Sequence, residues 1–209
     1  MAVSCPKSLE VDVSRRSLLS GLVAVVALLA AAPAASAQSG GGCQLQGNAN
    51  ISPGLNNNPQ NFTYNFGGNL TGCQSSQSGA PATGTVSAGQ VVTIGGLQYQ
   101  EPVPTGNGSC GNSTTQGTAI VNWADGTATV VNYTTTGAAA SVTLQGTVAP
   151  SVTLPQVGGT GSTTVTTTRY AGGSSLGQLF FQPPDPTACA TTTGVTTAGI
   201  SGFIGLSSS

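Results

Sequence analysis

The chain has 209 residues, of which 38% are hydrophobic and only 4% are charged, with four Lys or Arg against five Asp or Glu and no His. So few cations provide no basic patch for nucleic-acid phosphates and no basic amphipathic helix for a membrane surface. Without His, imidazole metal ligands and nucleophiles activated by a His base are excluded, so we expect no metal and no other cofactor.

The first 37 residues have the three-part organisation of a secretory signal peptide. A polar segment with a basic end reaches Arg16, an apolar run covers residues 17–32, and Ala35-Ser36-Ala37 forms a small-x-small cleavage site before Gln38. The apolar run is short for a membrane span and is followed by a cleavage site. We therefore expect the segment to be cleaved and the mature protein to have no membrane anchor.

The basic part of this segment resembles a twin-arginine export signal. Residues 14–19 read SRRSLL, in which Arg15 and Arg16 form the paired arginines. Leu18 stands where Phe is usual and Ser20 where Lys is usual, so an ordinary Sec signal with two arginines is the alternative. Both routes predict a secreted, extracellular protein.

Four cysteines follow the cleavage site, and an even number in an exported protein indicates a disulfide framework. Three connectivities are open, and we favour Cys43–Cys73 and Cys110–Cys189, which join residues 30 and 79 positions apart. Each disulfide would stabilise the fold by roughly 3–4 kcal/mol in the chain-entropy model. Zinc is a poor alternative because no two of these cysteines have the short spacing of zinc ligands.

The mature chain is predicted to be a flexible lead-in, residues 38–42, followed by a single β domain, residues 43–209. Alternating apolar and polar residues predict half-buried strands over 43–51 and 62–73, which the first disulfide would join. Residues 105–116 are polar and rich in Gly and Asn, which predicts a surface loop anchored by Cys110. Further strands are predicted over 84–94, 97–103, 138–154, 163–170, 176–181 and 195–206.

The stretch from Gly117 to Thr134 predicts the central β-hairpin. Two runs rich in Thr, Val and Ile flank Asp125-Gly126, which is a strong signal for a two-residue turn. With this loop, Trp123, the only tryptophan, would face Ala128 across the hairpin.

No helical period follows the signal peptide, and about nine or ten short strands are separated by turn residues. This pattern predicts an all-β fold, an antiparallel β-sandwich of immunoglobulin-like or jelly-roll-like topology with two disulfides. The SRRSLL…ASA leader, the four cysteines and the charge-poor β pattern resemble the small Thr/Gly-rich secreted proteins of high-GC Gram-positive bacteria. The resemblance implies export and a disulfide-stabilised β domain, and it assigns no activity to any residue.

Catalysis would depend on carboxylates, because the charged side chains after residue 37 are three acids and one base: Glu101, Asp125, Asp185 and Arg169. A pair of carboxylates is the machinery of a glycoside hydrolase. However, Asp125 lies in a predicted turn, Asp185 lies between prolines and Glu101 precedes Pro102, all of which are contexts typical of structural roles. We therefore expect no catalytic residue and no enzyme.

Binding is the better hypothesis. Aromatic rings can stack on the apolar faces of sugars, and Tyr99 and Tyr170 lie beside predicted loops, whereas Trp123 is expected mainly in the core. The sequence predicts a secreted, non-catalytic binding protein or surface and matrix component, whose partner is an extracellular carbohydrate or protein. The alternatives are a carbohydrate-binding module and, less favoured, a glycosidase. The apolar C-terminal strand, residues 195–206, would complete its own sheet or add to the open edge of a second copy.

Overall fold

The computed structural model describes residues 40–208, which are mostly β-strand. The predicted signal peptide, with Arg15, Arg16, Ala35 and Ala37, lies outside the described residues, as do residues 38 and 39. Gly40–Gly42, predicted as part of a flexible lead-in, are instead the first residues of β1. The strands are β1 (Gly40–Leu55), β2 (Gln60–Ser75), β3 (Gly84–Ala88), β4 (Val91–Ile94), β5 (Leu97–Gln100), β6 (Thr105–Gly108), β7 (Asn112–Trp123), β8 (Ala128–Ala138), β9 (Ser141–Ala149), β10 (Ser151–Pro155), β11 (Ser162–Thr166), β12 (Ser174–Gln182) and β13 (Val195–Ser207), with a 3₁₀ helix at Pro186–Ala190.

Eight of these strands form a closed antiparallel barrel in the order β1-β13-β12-β9-β8-β7-β3-β2, and β2 returns to pair with β1. The short strand β6 pairs with β2 and β7 beyond the end of β3. Closure is seen at Ala49, which lies opposite Ala198 of the last strand and Phe66 of the second.

The predicted β-sandwich is therefore wrong. Barrels and sandwiches share the same inward and outward alternation along each strand, so the residue pattern cannot distinguish them. The difference is the pairing of β1 with β13, which are separated by most of the domain. The described residues also form 13 strands rather than nine or ten. The predicted strands 84–94 and 138–154 are each divided in two, and β6 forms within the predicted surface loop.

Side chains fill the barrel interior, and they come from strands whose residues alternate between the inner and the outer face. β1 and β2 bury the residues that their alternation predicts, and they pack with residues from β7, β8, β9, β12 and β13 in one core. The members from β1 and β2 include Cys43, Leu45, Ala49, Ile51, Phe62, Tyr64 and Phe66.

A second, smaller core lies on the outer face of β7 and β8. The hairpins β4–β5 and β10–β11 cover this face, where Tyr99, Ile120 and Leu154 are buried together. Consequently β7 buries side chains on both faces near its end, Ile120 outward and Val121 inward.

The predicted central hairpin is present as β7–β8, but its register differs from the prediction by one residue. Trp123 pairs with Thr127 rather than with Ala128, because the Trp123 N–H donates to the Thr127 carbonyl over 2.9 Å. The loop therefore has three residues and ends at Gly126, whose φ of 82° suits the left-handed position of such a loop. The Asp125 carboxylate favours this wider turn, since it accepts hydrogen bonds from the N–H and O–H of Thr127 over 3.0 and 2.6 Å.

Both favoured disulfides are confirmed, Cys43–Cys73 between β1 and β2 and Cys110–Cys189 between the β6–β7 loop and the 3₁₀ helix. Two disulfides suit an oxidising environment such as the cell exterior. Within residues 40–208 no helix is long and apolar enough to cross a membrane. β13 pairs with β1 on one side and β12 on the other, so the C-terminal strand completes its own sheet and neither edge is free for a strand of another copy.

Candidate functional site

One end of the barrel encloses a cavity of about 310 Å³. Its walls come from inward residues of seven barrel strands, and its rim comes from the β8–β9 turn, Cys110 and the 3₁₀ helix. The volume is about twice that of the ~150 Å³ apolar cavity known to bind benzene. None of the charged side chains within residues 40–208 lines the cavity, and most of its wall is aliphatic or aromatic, including Leu45, Ile51, Val142, Leu179 and Ile200.

An aromatic wall forms one side of the cavity. Phe62, Tyr64 and Phe66 occupy alternate positions of β2, so the two-residue period directs all three rings inward. Neighbouring ring centroids are 6.2 and 6.3 Å apart, and Phe66 meets the edge of Tyr133 from β8 at 6.2 Å. Such packed rings hold one another in place and give the ligand space a fixed shape.

Six hydroxyl-bearing residues interrupt this apolar lining: Ser109, Ser113 and four residues whose hydroxyls are joined by hydrogen bonds. We refer to these four, Tyr133, Tyr64, Thr115 and Thr135, as the hydroxyl chain. The Tyr133 and Tyr64 hydroxyls are 2.7 Å apart, Tyr64 and Thr115 are 2.9 Å apart, and Thr115 and Thr135 are 2.8 Å apart. All four residues line the cavity. The chain runs from the buried tyrosines toward the half-buried threonines near the rim.

Both tyrosines of the hydroxyl chain remain protonated at neutral pH. Burial raises the pKa of Tyr64, and its hydrogen bonds with Thr115 and Tyr133 offset this only partly. Burial also raises the pKa of Tyr133 well above its ordinary value, and the neighbouring Tyr64 and Glu101 raise it further. The two phenols are therefore neutral groups that both donate and accept hydrogen bonds.

The residues proposed for ligand stacking do not form an exposed platform. Tyr99, Tyr170 and Trp123 are only 8%, 4% and 5% exposed. Tyr99 is covered by the β10–β11 hairpin on the outside of the barrel. Trp123 and Tyr170 contact each other at 5.8 Å, and both line the barrel end remote from Ser113 and Ala139. The expectation that Tyr99 and Tyr170 are surface residues is wrong because other elements pack over the loops beside them.

Each carboxylate has a local partner of its own. Glu101 is 1% exposed and accepts hydrogen bonds from the Ser87 hydroxyl at 2.6 Å and the Gln90 N–H at 3.1 Å, while burial raises its pKa. Asp125 forms an ion pair with Arg169 at 2.6 Å, and its hydrogen bonds with Thr127 are the main reason that its pKa falls to about 2.

Asp185 caps the 3₁₀ helix by accepting bonds from the Thr187 N–H and O–H at 2.8 and 2.6 Å, which lower its pKa. The structure therefore gives all three acids specific roles in local folding. Within residues 40–208, no group of three or more Cys, Asp or Glu side chains is arranged to hold a metal ion.

Sequence reasoning missed the hydroxyl chain. Thr115 falls in the predicted surface loop, but β7 begins at Asn112, so Ser113, Thr115 and Gly117 continue the alternation of the hairpin inward. The signal that could have located Thr115 is this two-residue period, extended upstream of Gly117. The contact between Tyr64 and Tyr133 could not be predicted in this way, because it joins residues 69 positions apart.

A second surface feature is an uncharged outer face across β12, β13 and β1. It exposes Phe180 and Phe203, at 47% and 49%, beside amide side chains. The register places Phe180 between Ser201 and Ser141, and Phe203 between Gln178 and Gln44. A shallow groove of about 680 Å³ adjoins this face and is lined by polar residues and glycines, including Gln46, Asn48, Asn69, Gln182 and Gly199.

Comparison with known proteins adds no further assignment. No protein-family model matches the sequence, and no curated protein or solved structure shows significant similarity to it.

Proposed function

We propose that this chain is a secreted, non-catalytic binding protein that holds a small, largely apolar molecule inside its barrel. The cavity of about 310 Å³ at one barrel end is the observation that supports this most strongly. Its size lies at the lower end of the range of small-molecule sites, and its lining, mostly apolar with a few polar groups, is typical of them. The signal-like N-terminus and the two disulfides support an extracellular location.

The architecture also suits binding. In a closed barrel the walls of the cavity are fixed by main-chain hydrogen bonds on both sides of each strand. The Cys110–Cys189 disulfide joins two parts of the rim. A ligand that enters a preformed site loses less affinity to the ordering of protein groups than one that must organise its site.

A fluorescence titration with N-phenyl-1-naphthylamine, a neutral apolar dye, tests the proposal. Ala198 is buried and lines the cavity, whereas its neighbour Thr197 is exposed. We expect saturable dye binding to the unaltered protein and to Thr197→Phe, and at least tenfold weaker binding to Ala198→Phe, because the added ring occupies the cavity. Equal binding by both variants, with unfolding curves that show both to be folded, would rule out the cavity as the site.

A second candidate function is the binding of a neutral polysaccharide to the outer face. The exposed rings of Phe180 and Phe203 and the amides around them are suitable for stacking on sugars and for hydrogen bonding to them. Retention on insoluble chitin, cellulose or peptidoglycan, lost in a Phe180→Ala, Phe203→Ala double variant, would support this role. A lack of retention on all three materials would contradict it.

A further inference from the structure

The cavity is apolar except for its hydroxyl chain and the hydroxyls of Ser109 and Ser113, and these polar groups restrict which molecules the cavity can hold. A polar group removed from water costs free energy unless it forms a hydrogen bond, so buried hydroxyls are normally satisfied. A ligand that fills the cavity displaces water from the exposed parts of Tyr64, Tyr133, Thr115 and Thr135. Its own atoms must then provide any hydrogen bonds that the four hydroxyls do not make to one another.

Counting protons shows that the four hydroxyls cannot satisfy themselves. Each hydroxyl carries one proton and can donate once. The three contacts at 2.7, 2.9 and 2.8 Å use three of the four protons, whichever direction each bond has. One O–H therefore remains to donate outside the chain. Each oxygen has two lone pairs, so the chain can also accept a hydrogen bond from a ligand.

The charges around the cavity favour a neutral ligand. Among the residues that the structure describes, no Arg, Asp or Glu lines it, so a carboxylate or an ammonium group would be buried there without a counter-ion. The surroundings already oppose negative charge, because burial, Tyr64 and Glu101 together raise the pKa of Tyr133 well above its ordinary value. A carboxylate placed beside that hydroxyl would meet the same low-polarity environment.

We infer that the ligand is an uncharged amphiphile that fits within a cavity of about 310 Å³, with an apolar body and one hydroxyl or carbonyl oxygen that hydrogen-bonds to the hydroxyl chain. This inference rests on the proposed function, since it names the ligand class of the same cavity. The apolar body lies against the aromatic wall and the aliphatic residues of the opposite strands. The oxygen pairs with the O–H that the hydroxyl chain leaves free.

The test is a competition against N-phenyl-1-naphthylamine with four molecules that share one alkyl chain: decan-1-ol, decan-2-one, decanoate and decylammonium. All are measured at pH 7 and below their aggregation concentrations. The alcohol and the ketone are expected to displace the dye at concentrations at least tenfold lower than the two charged molecules, because only the charged molecules must bury an unpaired charge.

The double variant Tyr64→Phe, Tyr133→Phe then tests the groups responsible. It removes both phenol hydroxyls and keeps their rings, so the O–H that remains to donate lies on Thr115 or Thr135, near the rim. The affinity for the alcohol and the ketone is expected to fall about fivefold, because the buried part of the cavity then offers them no tyrosine hydroxyl, as for the loss of one neutral hydrogen bond. The control is Tyr170→Phe, which removes a hydroxyl that donates to Ser75 in the other end of the barrel and should leave all four affinities unchanged.

The outcomes separate this inference from the proposed function. If the dye does not bind, or if Ala198→Phe does not block it, the proposed function fails. If the dye binds in the cavity but decanoate or decylammonium competes as well as the alcohol, the inference on ligand class is overturned while the function stands. The same conclusion follows if the double variant Tyr64→Phe, Tyr133→Phe keeps the full affinity for the alcohol and the ketone.

Discussion

Gly117 has no side chain, and this leaves the space that the Tyr133 hydroxyl occupies. A Cβ atom at this position would lie 2.7 Å from the Tyr133 oxygen and 2.8 Å from the Cβ of Pro104, which is itself fully buried. Gly117→Ala is therefore expected to destabilise the protein by about 1–3 kcal/mol, as overpacking does, and to weaken dye binding by displacing Tyr133. Urea unfolding and the dye titration measure the two effects.

Gly199→Ala is the matched control for this substitution. Gly199 lies in β13, where the nearest atom to a new Cβ would be the Gln182 carbonyl oxygen at 3.6 Å, an ordinary contact. We expect this variant to bind dye normally and to unfold close to the unaltered protein. If Gly117→Ala behaves in the same way, the close packing around the Tyr133 hydroxyl does not constrain the site.

The buried tyrosines make the stability sensitive to alkaline pH. The folded protein raises the pKa values of Tyr64 and Tyr133, mainly through burial, whereas in the unfolded chain both phenols titrate near pH 10. Above that pH the unfolded state binds fewer protons than the folded state, so the free energy of unfolding falls as the pH rises. Below it this contribution is fully present.

Urea unfolding between pH 8 and 11 measures this loss of stability. The double variant Tyr64→Phe, Tyr133→Phe should lose less stability over this range than the unaltered protein. Because other groups also titrate in this range, the comparison is made with the unaltered protein under the same conditions. Identical pH profiles for the double variant and the unaltered protein would show that the two phenols are not protected from ionisation by the fold.

Residue-scale predictions from the sequence succeeded where alternation alone decides the position of a side chain. Phe62, Tyr64 and Phe66 point inward as predicted, because one strand determines their common face. Tyr99 and Tyr170 could not be placed in this way. Their burial depends on the β10–β11 hairpin and on Trp123, elements that lie far along the chain or across the barrel.

Among the elements, the segment tied by Cys110–Cys189 forms part of the cavity rim. This disulfide joins residues 79 positions apart, so replacing both cysteines with Ser is expected to cost about 4 kcal/mol of stability in the chain-entropy model. Removal of the disulfide should also increase the dissociation rate of the dye, because the loop at Cys110 and the 3₁₀ helix are then no longer joined. Stopped-flow fluorescence measures that rate.

Cys43–Cys73 provides a control at the other end of the barrel. It joins residues 30 positions apart, and its Cys43 lies at the barrel end that Trp123 and Tyr170 line, away from the rim. Its removal is expected to cost about 3–4 kcal/mol and to leave the dissociation rate of the dye unchanged. If the removal of either disulfide accelerated dye dissociation equally, general destabilisation, and not the rim, would control ligand release.

The central hairpin shows what an element's sequence can specify. Two β-branched runs and Asp125-Gly126 were sufficient to predict β7 and β8. The register was wrong by one residue because the hydrogen bonds between Asp125 and Thr127 stabilise a three-residue loop, and a dipeptide signal does not include them. The two confirmed disulfides are the favoured one of the three connectivities that four cysteines allow, and the residue pattern alone did not exclude the other two.

For the whole molecule, local pattern predicted strands, and long-range pairing decided the architecture. The same alternating residues could line two facing sheets or the inside of a barrel. The pairing of β1 with both β2 and β13 decides between them and also creates the cavity, because the enclosed space exists only when the ring closes. A sequence interpretation that ended with a sandwich therefore had no basis for predicting this site.

Barrel closure makes a specific prediction for amide hydrogen exchange. Residues 45–50 of β1 pair with β13 on one side and β2 on the other, so successive amides donate alternately to the two neighbours and all are bonded. In NMR-detected exchange we expect uninterrupted protection along residues 45–50. The internal control is β4 (Val91–Ile94), which pairs only with β5 among the described strands and should show every second amide exchanging fast. An alternation of fast and slow amides along residues 45–50 would show that β1 has an open edge. The barrel would then not be closed, and it would not enclose the cavity.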